Sequence, residues 1–398
     1  MTTLKSTKPQ KSSTKLLLKK KKGYKMSKVF VGMSGGVDSS VSALLLKEQG
    51  YDVTGVYMKN WSRDLPGMKC PWAEDLADAK RVAVKLGIPF EVWDFEDAYR
   101  EKVVEYMLEE FKKGNTPNPD IMCNQEIKFK LFFEKAMERG ADFIATGHYA
   151  RIIDGNLARA VDENKDQTYF LYRISDEALK HTLFPIGEML KPDVKKLAEE
   201  KGLHNAYKKE SMGVCFVGEV GMKDFLKEYI EIEPGEIREI ETEKVLGVHE
   251  GAVFYTIGQR HGLYISGNKG EINDGLPYYV VKKDLKNNIV YVSKNLNDSH
   301  IWTKELKLKD VVTRTNMLGL RAFATTGASD EASPVTTGAS EEASKPSILV
   351  RLRHRAPLIP AQFDGEKLVF ENEIKRPASG QSAVLYDDEI CLGGGIIV

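Results

Sequence analysis

Two cysteines and one serine–glycine loop carry most of the chemistry available to this chain. Cys123 sits in Asn115-Thr-Pro-Asn-Pro-Asp-Ile-Met-Cys-Asn-Gln-Glu-Ile-Lys-Phe129. The prolines and asparagines predict an irregular loop, with a helix starting near Glu126, just after the cysteine. A thiol at a helix N-terminus and near Lys128 has its pKa lowered and its thiolate favoured. Cys215 lies in Lys208-Lys-Glu-Ser-Met-Gly-Val-Cys-Phe-Val-Gly218, flanked by glycines and preceded by lysines. The default for an isolated cysteine in a reducing compartment is a small buried hydrophobe. Cys70 and Cys391 fit that default, and Cys391, in Glu389-Ile-Cys-Leu392, reads as a strand residue in a β core. Two cysteines in Gly/Pro/Asn-rich loops instead suggest thiol chemistry. The four cysteines are too few and scattered for a disulfide framework, and without Cys-x-x-Cys no structural zinc is expected.

The loop follows an apolar run, in Lys28-Val-Phe-Val-Gly-Met-Ser-Gly-Gly-Val-Asp-Ser-Ser40, and leads into the helix-like Val41–Gln49. Gly35 and Gly36 let the backbone turn tightly and come close to a ligand. Ser34, Ser39 and Ser40 add hydroxyls, and the helix start offers unpaired N–H groups. Together they form a phosphate cradle. It is neither the Walker loop, since no Gly-Lys-Ser/Thr follows, nor Gly-x-Gly-x-x-Gly. An ordinary glycine turn would not need strand, serines, Asp38 and helix in this order. The run is similar to the signature of the PP-loop ATP pyrophosphatases, which split ATP between its α and β phosphates.

The elements that must position these residues alternate from Met26 to about Gly147. Strands are expected at 29–33, 52–58, 90–94 and 143–146, and helices at 38–49, 74–86, 98–113 and 127–139. Short β-rich runs between helices imply an α/β fold with a doubly wound, Rossmann-like parallel sheet. Ligands of such sheets bind at the carboxyl ends of strands. The serine–glycine loop, Met58 and Gly147-His148 all fall there.

Beyond Glu219 the strands are short, β-branched and separated by Gly, Asn or Asp turns, which reads as two small β domains, the last a β-barrel. The expected organisation is a Lys-rich disordered tail over 1–25, a catalytic domain over 26–222, a central β-rich domain over 223–298 and a barrel over 299–398. The near-repeat of Thr325-Thr-Gly-Ala-Ser329 at Thr336-Thr-Gly-Ala-Ser340 reads as a disordered surface insertion over about 324–346.

The 398 residues carry zero formal charge, but residues 1–25 hold nine lysines and no acid, which leaves the body at −9. An RNA-binding surface must then be a local patch. In Ile348-Leu-Val-Arg-Leu-Arg-His-Arg-Ala356 a strand period of two would put Arg351, Arg353 and Arg355 on one face, suited to backbone phosphates. No apolar run approaches the roughly 20 residues that span a bilayer, so no membrane and a cytoplasmic location are expected. The tail lacks a signal-peptide core; it could pass for a transit peptide, a solvated tail is the simpler reading, and translation could start at Met26.

Several motifs together resemble the tRNA-specific 2-thiouridylase family. They are Gly32-Met-Ser-Gly-Gly-Val-Asp-Ser39, Thr116-Pro-Asn-Pro-Asp-Ile-Met-Cys-Asn124, Ala145-Thr-Gly-His-Tyr149, Asn164-Lys-Asp-Gln-Thr-Tyr-Phe-Leu-Tyr172 and Gly213-Val-Cys-Phe-Val-Gly-Glu219, then Thr256-Ile-Gly-Gln-Arg260, Gly380-Gln-Ser-Ala-Val384 and Cys391-Leu-Gly-Gly-Gly395. The likeness runs from about Met26 to the end and omits the lysine tail and the insertion.

The resemblance implies a sulfurtransferase that adenylates the C2 oxygen of the tRNA wobble uridine and replaces it with sulfur. ATP, with Mg2+ as substrate, would bind Gly32, Met33, Ser34, Gly35, Gly36, Val37, Asp38 and Ser39, with Met58 and Gly147 beside the adenosine. Cys215 would receive a persulfide from a sulfur-relay protein, and Cys123 would release that sulfur by forming a disulfide with Cys215. Asn118, Pro119 and Asp120 would approach the base. His148, Lys165, Asp166, Gln167 and Gln381 would contact the tRNA, as would the pair Arg353-His354, where the family usually has tyrosine second. The tRNAs would be those for Lys, Glu and Gln. No permanently bound cofactor and a monomer are expected.

Two rivals compete. An amidating synthetase using ammonia leaves both loop cysteines without a job, and an idle RNA-binding module leaves the phosphate loop without one. A protein-bound iron–sulfur cluster normally needs three or four cysteines, and only two sit in suitable contexts.

Overall fold

The computed structural model describes residues 26–64, 70–209, 222–263, 265, 276–295, 300–314 and 348–398. The lysine tail, the 324–346 insertion and Cys215 lie outside the described residues.

The first sheet grows from short runs of β-branched and aromatic residues. It contains β1 (Lys28–Gly32), β2 (Asp52–Lys59), β3 (Phe90–Asp94) and β4 (Phe143–Ala145). After the hairpin β5 (Arg151–Ile153) and β6 (Asn156–Ala158), β7 (Thr182–Leu183) completes it. The order is β3-β2-β1-β4-β7, all parallel. On β1, Val29, Phe30 and Val31 are buried, as a central strand covered on both faces requires. The chain winds outward from β1 to β2 and β3, then returns to start again at β4. The gap between β1 and β4 is therefore the switch point where ligands bind in such sheets.

Helices α1 (Val37–Glu48) and α2 (Trp72–Leu86) carry acids in their first turns and a lysine in their last, matching the helix dipole. A longer helix over 119–138 differs from expectation at its start. It begins at Pro119, capped by Asn118, whose side chain accepts from the Asp120 N–H at 3.1 Å. The Asn-Pro pair that reads as loop is also a helix cap followed by proline at the first helical position. Cys123 therefore lies one turn inside the helix, not ahead of it. Its own N–H bonds to the Asp120 and Pro119 carbonyls, so orphan amides do not sit beside it. From Cys123 to Leu131 the helix widens into π-type turns, a distortion often found at functional sites.

The second sheet comprises β8 (Gly235–Glu239), β9 (Val245–His249), β10 (Tyr279–Asp284) and β11 (Ile289–Ser293), in the order β10-β11-β8-β9. It has its own small core around Ile237, Tyr255, Val280 and Val292. The third comprises β12 (Trp302–Thr313), β13 (Ile348–Arg351), β14 (Ile359–Phe363), β15 (Lys367–Lys375), β16 (Ser382–Asp387) and β17 (Ile390–Ile397). Pairing runs β12-β15-β14-β13-β16-β17, and β17 returns to β12, which closes a six-stranded barrel. The expected fold class holds.

The barrel is stitched to the first domain. The hairpin β5–β6 joins its sheet through Ala158 beside Ile390. Asp166, 2% exposed, pairs with Arg351 of β13 at 2.6 Å and accepts from Thr168 Oγ1, which in turn meets Tyr386 Oη at 3.1 Å. The Tyr169 and Tyr172 hydroxyls bond the carbonyl and hydroxyl of Ser382. This corrects the expected arginine stripe. The strand stops at Arg351, and that residue is buried against Asp166, while Arg353 and Arg355 are exposed in the turn that follows.

Losing one partner of a buried ion pair leaves an uncompensated charge and costs about 3–5 kcal/mol. Asp166→Ala should therefore lower stability in urea unfolding by that order. The double change Asp166→Leu with Arg351→Met should recover most of it.

Candidate active site

The loop after β1 is shaped by two glycines that tolerate no side chain. Gly35 has φ +79°, and a Cβ there would meet the Asp75 carbonyl oxygen of α2 at 2.4 Å. Gly147, at the end of β4, lies on the first turn of α1, where a Cβ would stand 2.5 Å from the Ser39 nitrogen. A side chain at 147 would thus plug the helix start. Met58, at the end of β2, touches Gly32, since a Cβ on that glycine would come 2.8 Å from its Cε. The hydroxyls of Ser34 and Ser39 meet at 3.3 Å, and those of Ser39 and Ser40 both donate to the Gly36 carbonyl. Ser34 is exposed, and Gly36 and Asp38 are half-buried at the loop mouth.

Asp38 accepts from the Tyr149 hydroxyl at 3.0 Å and from Lys191 Nζ on both carboxylate oxygens at 2.7 Å. Lys191 is held in turn by its own N–H, which donates to Asp162 at 2.9 Å. Sequence reading missed Lys191. Its Lys-Pro context announces a helix, Lys191–Glu200, but nothing local ties it to a carboxylate 153 residues earlier. Asn205 escaped notice as well, although its amide reaches the Gly35 carbonyl and the Ser40 hydroxyl.

The cysteine half of the site is joined to this loop through one dipeptide. Gly147 packs on α1, and the next residue, His148, faces the helix that carries Cys123. Lys128 Nζ lies 3.5 Å from His148 Nε2, and Thr146 Oγ1 lies 2.8 Å from His148 Nδ1. Burial, and then the neighbouring Lys128 charge, hold His148 well below its usual range, so the ring is neutral. An ammonium can only donate, so Nε2 accepts and the proton sits on Nδ1, facing Thr146. Cys123 is 4% exposed in the same region. Burial raises the pKa of Asp120, one turn before it, with Lys128 pulling the other way.

The turn that leads into this helix is gripped by both β domains. Lys283 of β10 donates to the Gly114 carbonyl at 2.8 Å, and burial lowers its pKa to about 8. Thr116 donates its N–H to the Ser379 carbonyl at 2.7 Å, and its own carbonyl accepts from Gln381 Nε2 at 2.7 Å. Its hydroxyl meets that of Thr256 at 3.4 Å.

The structure thus brings together Asn118, Pro119, Asp120, Cys123 and His148 on one side, and Gly32 to Ser39, Met58 and Gly147 on the other. Among the expected RNA contacts, Asp166 is buried in its ion pair and Gln167 Oε1 accepts from the Tyr149 N–H at 2.9 Å. Lys165 is half-buried and Arg353 exposed. His354 packs against Phe170, with ring centroids 4.5 Å apart and planes tilted by 45°, and burial, with Arg355 beside it, lowers its pKa to about 4. Cys391 is fully buried in β17, where burial pushes its thiol up to about 11. Among the described residues no helix is long and apolar enough to cross a membrane.

Gly147→Ala should cut nucleotide affinity by at least tenfold in equilibrium titration, because its methyl fills the helix start. His148, His249 and His354 all have folded pKa values below 6.5. As pH falls, the unfolded chain takes up those protons first, so stability is full above 6.5 and is lost below it. His354→Phe should flatten that loss between pH 6.5 and about 4, read as the pH dependence of the urea midpoint.

Three family profiles tile the chain: one described as a tRNA methyl transferase HUP domain over 27–219, one as a tRNA methyl transferase PRC-barrel domain over 223–294, and one as an aminomethyltransferase beta-barrel domain over 332–397. The tRNA-specific 2-thiouridylase MnmA of Listeria monocytogenes is 44% identical over 93% of this chain and 94% of its own length. Those of Bacillus licheniformis and Lactiplantibacillus plantarum are each 45% identical over 93% of this chain and 95% of theirs. Among solved structures, the chain is similar to a 4-thiouridine synthetase in complex with RNA and ATP, at 20% identity and a TM-score of 0.33, over 46% of this chain and 43% of that one. With motifs, architecture and near full-length identity in agreement, the chain belongs to the tRNA-specific 2-thiouridylase family.

Proposed function

We propose that this sulfurtransferase makes 2-thiouridine at the wobble position of tRNA by adenylating the base and then displacing AMP with sulfur. The observation that supports it best is the Gly147-His148 dipeptide, which joins a phosphate loop to a cysteine-bearing helix across the switch point of the sheet. A phosphate cradle alone suits many reactions; one that meets a cysteine-bearing helix through His148 and Lys128 suits activation followed by sulfur transfer.

In this reading, ATP enters with Mg2+ as substrate and lays its phosphates on Ser34–Ser39, with Met58 and Gly147 beside the adenosine. The uridine O2 attacks the α phosphorus and pyrophosphate leaves. A carbonyl oxygen is a very poor leaving group, and adenylation turns it into one. The terminal sulfur of a persulfide on Cys215 then attacks C2, and AMP departs with the C2 oxygen. The Cys123 thiolate attacks the Cys215 sulfur, the sulfur bound to C2 leaves with its electron pair as the 2-thiouridine, and a Cys123–Cys215 disulfide forms. A two-electron thiol reductant must reset that disulfide. Lys191 and Tyr149 hold Asp38 in place throughout, and neutral His148 holds Lys128 of the Cys123 helix against the end of β4.

The supporting assignments are a catalytic unit over 26–222, a central unit over 223–298 and an RNA-binding barrel over 299–398. Asn118, Pro119, Asp120, Lys165, Gln167 and Arg353 are proposed to meet the tRNA directly. Asp166, His354 and Gln381 are proposed to act through the surfaces they hold in place. The partners are the Lys, Glu and Gln tRNAs and a persulfide-donating relay protein, in the cytoplasm, with the enzyme acting as a monomer.

The test is 2-thiouridine formation on such a tRNA with ATP and a persulfide donor. Cys123→Ser and Cys215→Ser should drop thiolation to background while adenylated tRNA still forms. Asp38→Ala should abolish adenylation itself. Full thiolation by both cysteine variants would sink the proposed route.

A further inference from the structure

We infer that Asn205 is a positioning residue for adenylation, which sets the direction in which the phosphate loop points its Gly36 amide. The inference rests on the functional reading above and adds a residue to it.

Asn205 is 2% exposed, beneath the loop rather than in its mouth. Its Nδ2 donates to the Gly35 carbonyl and to the Ser40 hydroxyl, both at 2.9 Å. A carbonyl can only accept, so the amide must face it with its NH2 end. The Ser40 hydroxyl, having accepted from Asn205, spends its own proton on the Gly36 carbonyl at 2.8 Å. One side chain thus holds the Gly35 carbonyl directly and, through a serine, braces the Gly36 carbonyl, which also accepts from the Ser39 hydroxyl and the Ser40 N–H. In a trans peptide the N–H points opposite to the C=O of the same unit. Drawing in the Gly35 carbonyl therefore turns the Gly36 N–H out towards the mouth. There it donates to the exposed Ser34 hydroxyl at 3.4 Å, so the pair faces the mouth together. An N–H turned outward just before α1 adds to the pull of the helix start on an anion.

A further observation agrees. Asn205 Oδ1 is buried with no hydrogen-bond partner among the described residues. An unpaired buried carbonyl is unfavourable, and a methyl group or a branched aliphatic would avoid it. The side chain is explained by its two donors.

Amides aimed at a developing charge raise the rate more than they tighten ground-state binding. Asn205→Leu should lower the single-turnover rate of tRNA adenylation at saturating ATP by about 10- to 100-fold, with ATP affinity changed less than about threefold. Asn205→Asp keeps the shape and therefore the fold, but an ionised carboxylate has no donor. Its protonated form has one, so its rate relative to wild type should rise as pH is lowered from 8.5 to 6. The charged groups around the loop are Asp38 with Lys191, and Asp75 and Asp78 with Lys208 and His204. Wild type and variant share them, so the ratio removes their titration.

The inference is overturned if Asn205→Leu adenylates at the wild-type rate, if its loss is entirely weaker ATP binding, or if Asn205→Asp shows no relative gain at low pH. A wild-type enzyme that makes no adenylated tRNA would instead overturn the functional reading, and this inference with it.

Discussion

The close approach of β4 to α1 at Gly147 is the constraint on which the site depends. Backbone lies on backbone there, with no room for even a methyl group. That contact fixes the gap between the two strands at the switch point, and so the width of the nucleotide cleft. It also fixes the next residue. Because Gly147 is pinned, His148 must project towards the 119–138 helix, where its neutral ring keeps company with Lys128. Distances within the cleft therefore follow from one contact between peptide units.

The other two domains act on the same cleft from behind. The turn over 114–118 has little core of its own, yet it aims the helix that carries Cys123. Lys283 holds one end, and Ser379 with Gln381 holds the other. Lys283, half-buried and with a lowered pKa, holds one carbonyl, and the barrel loop supplies two more fastenings. On this geometry the β domains help to set the position of the helix that carries Cys123. Asp166 shows the same logic: it stands in a motif expected to touch tRNA, and its carboxylate anchors the barrel instead.

The parts legible in sequence were those whose chemistry is local. Strand, glycines, serines and helix follow one another within 13 residues of β1 and α1, so the phosphate loop could be read directly. The parallel sheet followed from the alternation of short β-rich runs with helical ones. Misreadings arose where one signal serves two structures. Asn118-Pro119 looks like loop and is also a helix cap, which moved Cys123 one turn inward. Arg351 obeys the strand period, but its partner Asp166 lies 185 positions away, so exposure could not be judged from pattern. Lys191 and Asn205 were illegible for the same reason: their meaning lies in distant partners.

The hairpin over 151–158 completes its sheet only with strands made much later. Thr168 waits for Tyr386, 218 positions on. At roughly 5–20 residues per second of synthesis, that is a delay of about 10–45 s. Over that interval a nascent chain would carry an open sheet edge and the buried-to-be hydroxyls of Tyr169 and Tyr172 in water. Such an edge invites pairing with other chains. A chain cut short at the end of β15 would lack Ser379 and Gln381, and with them the bonds that hold Thr116 ahead of the Cys123 helix.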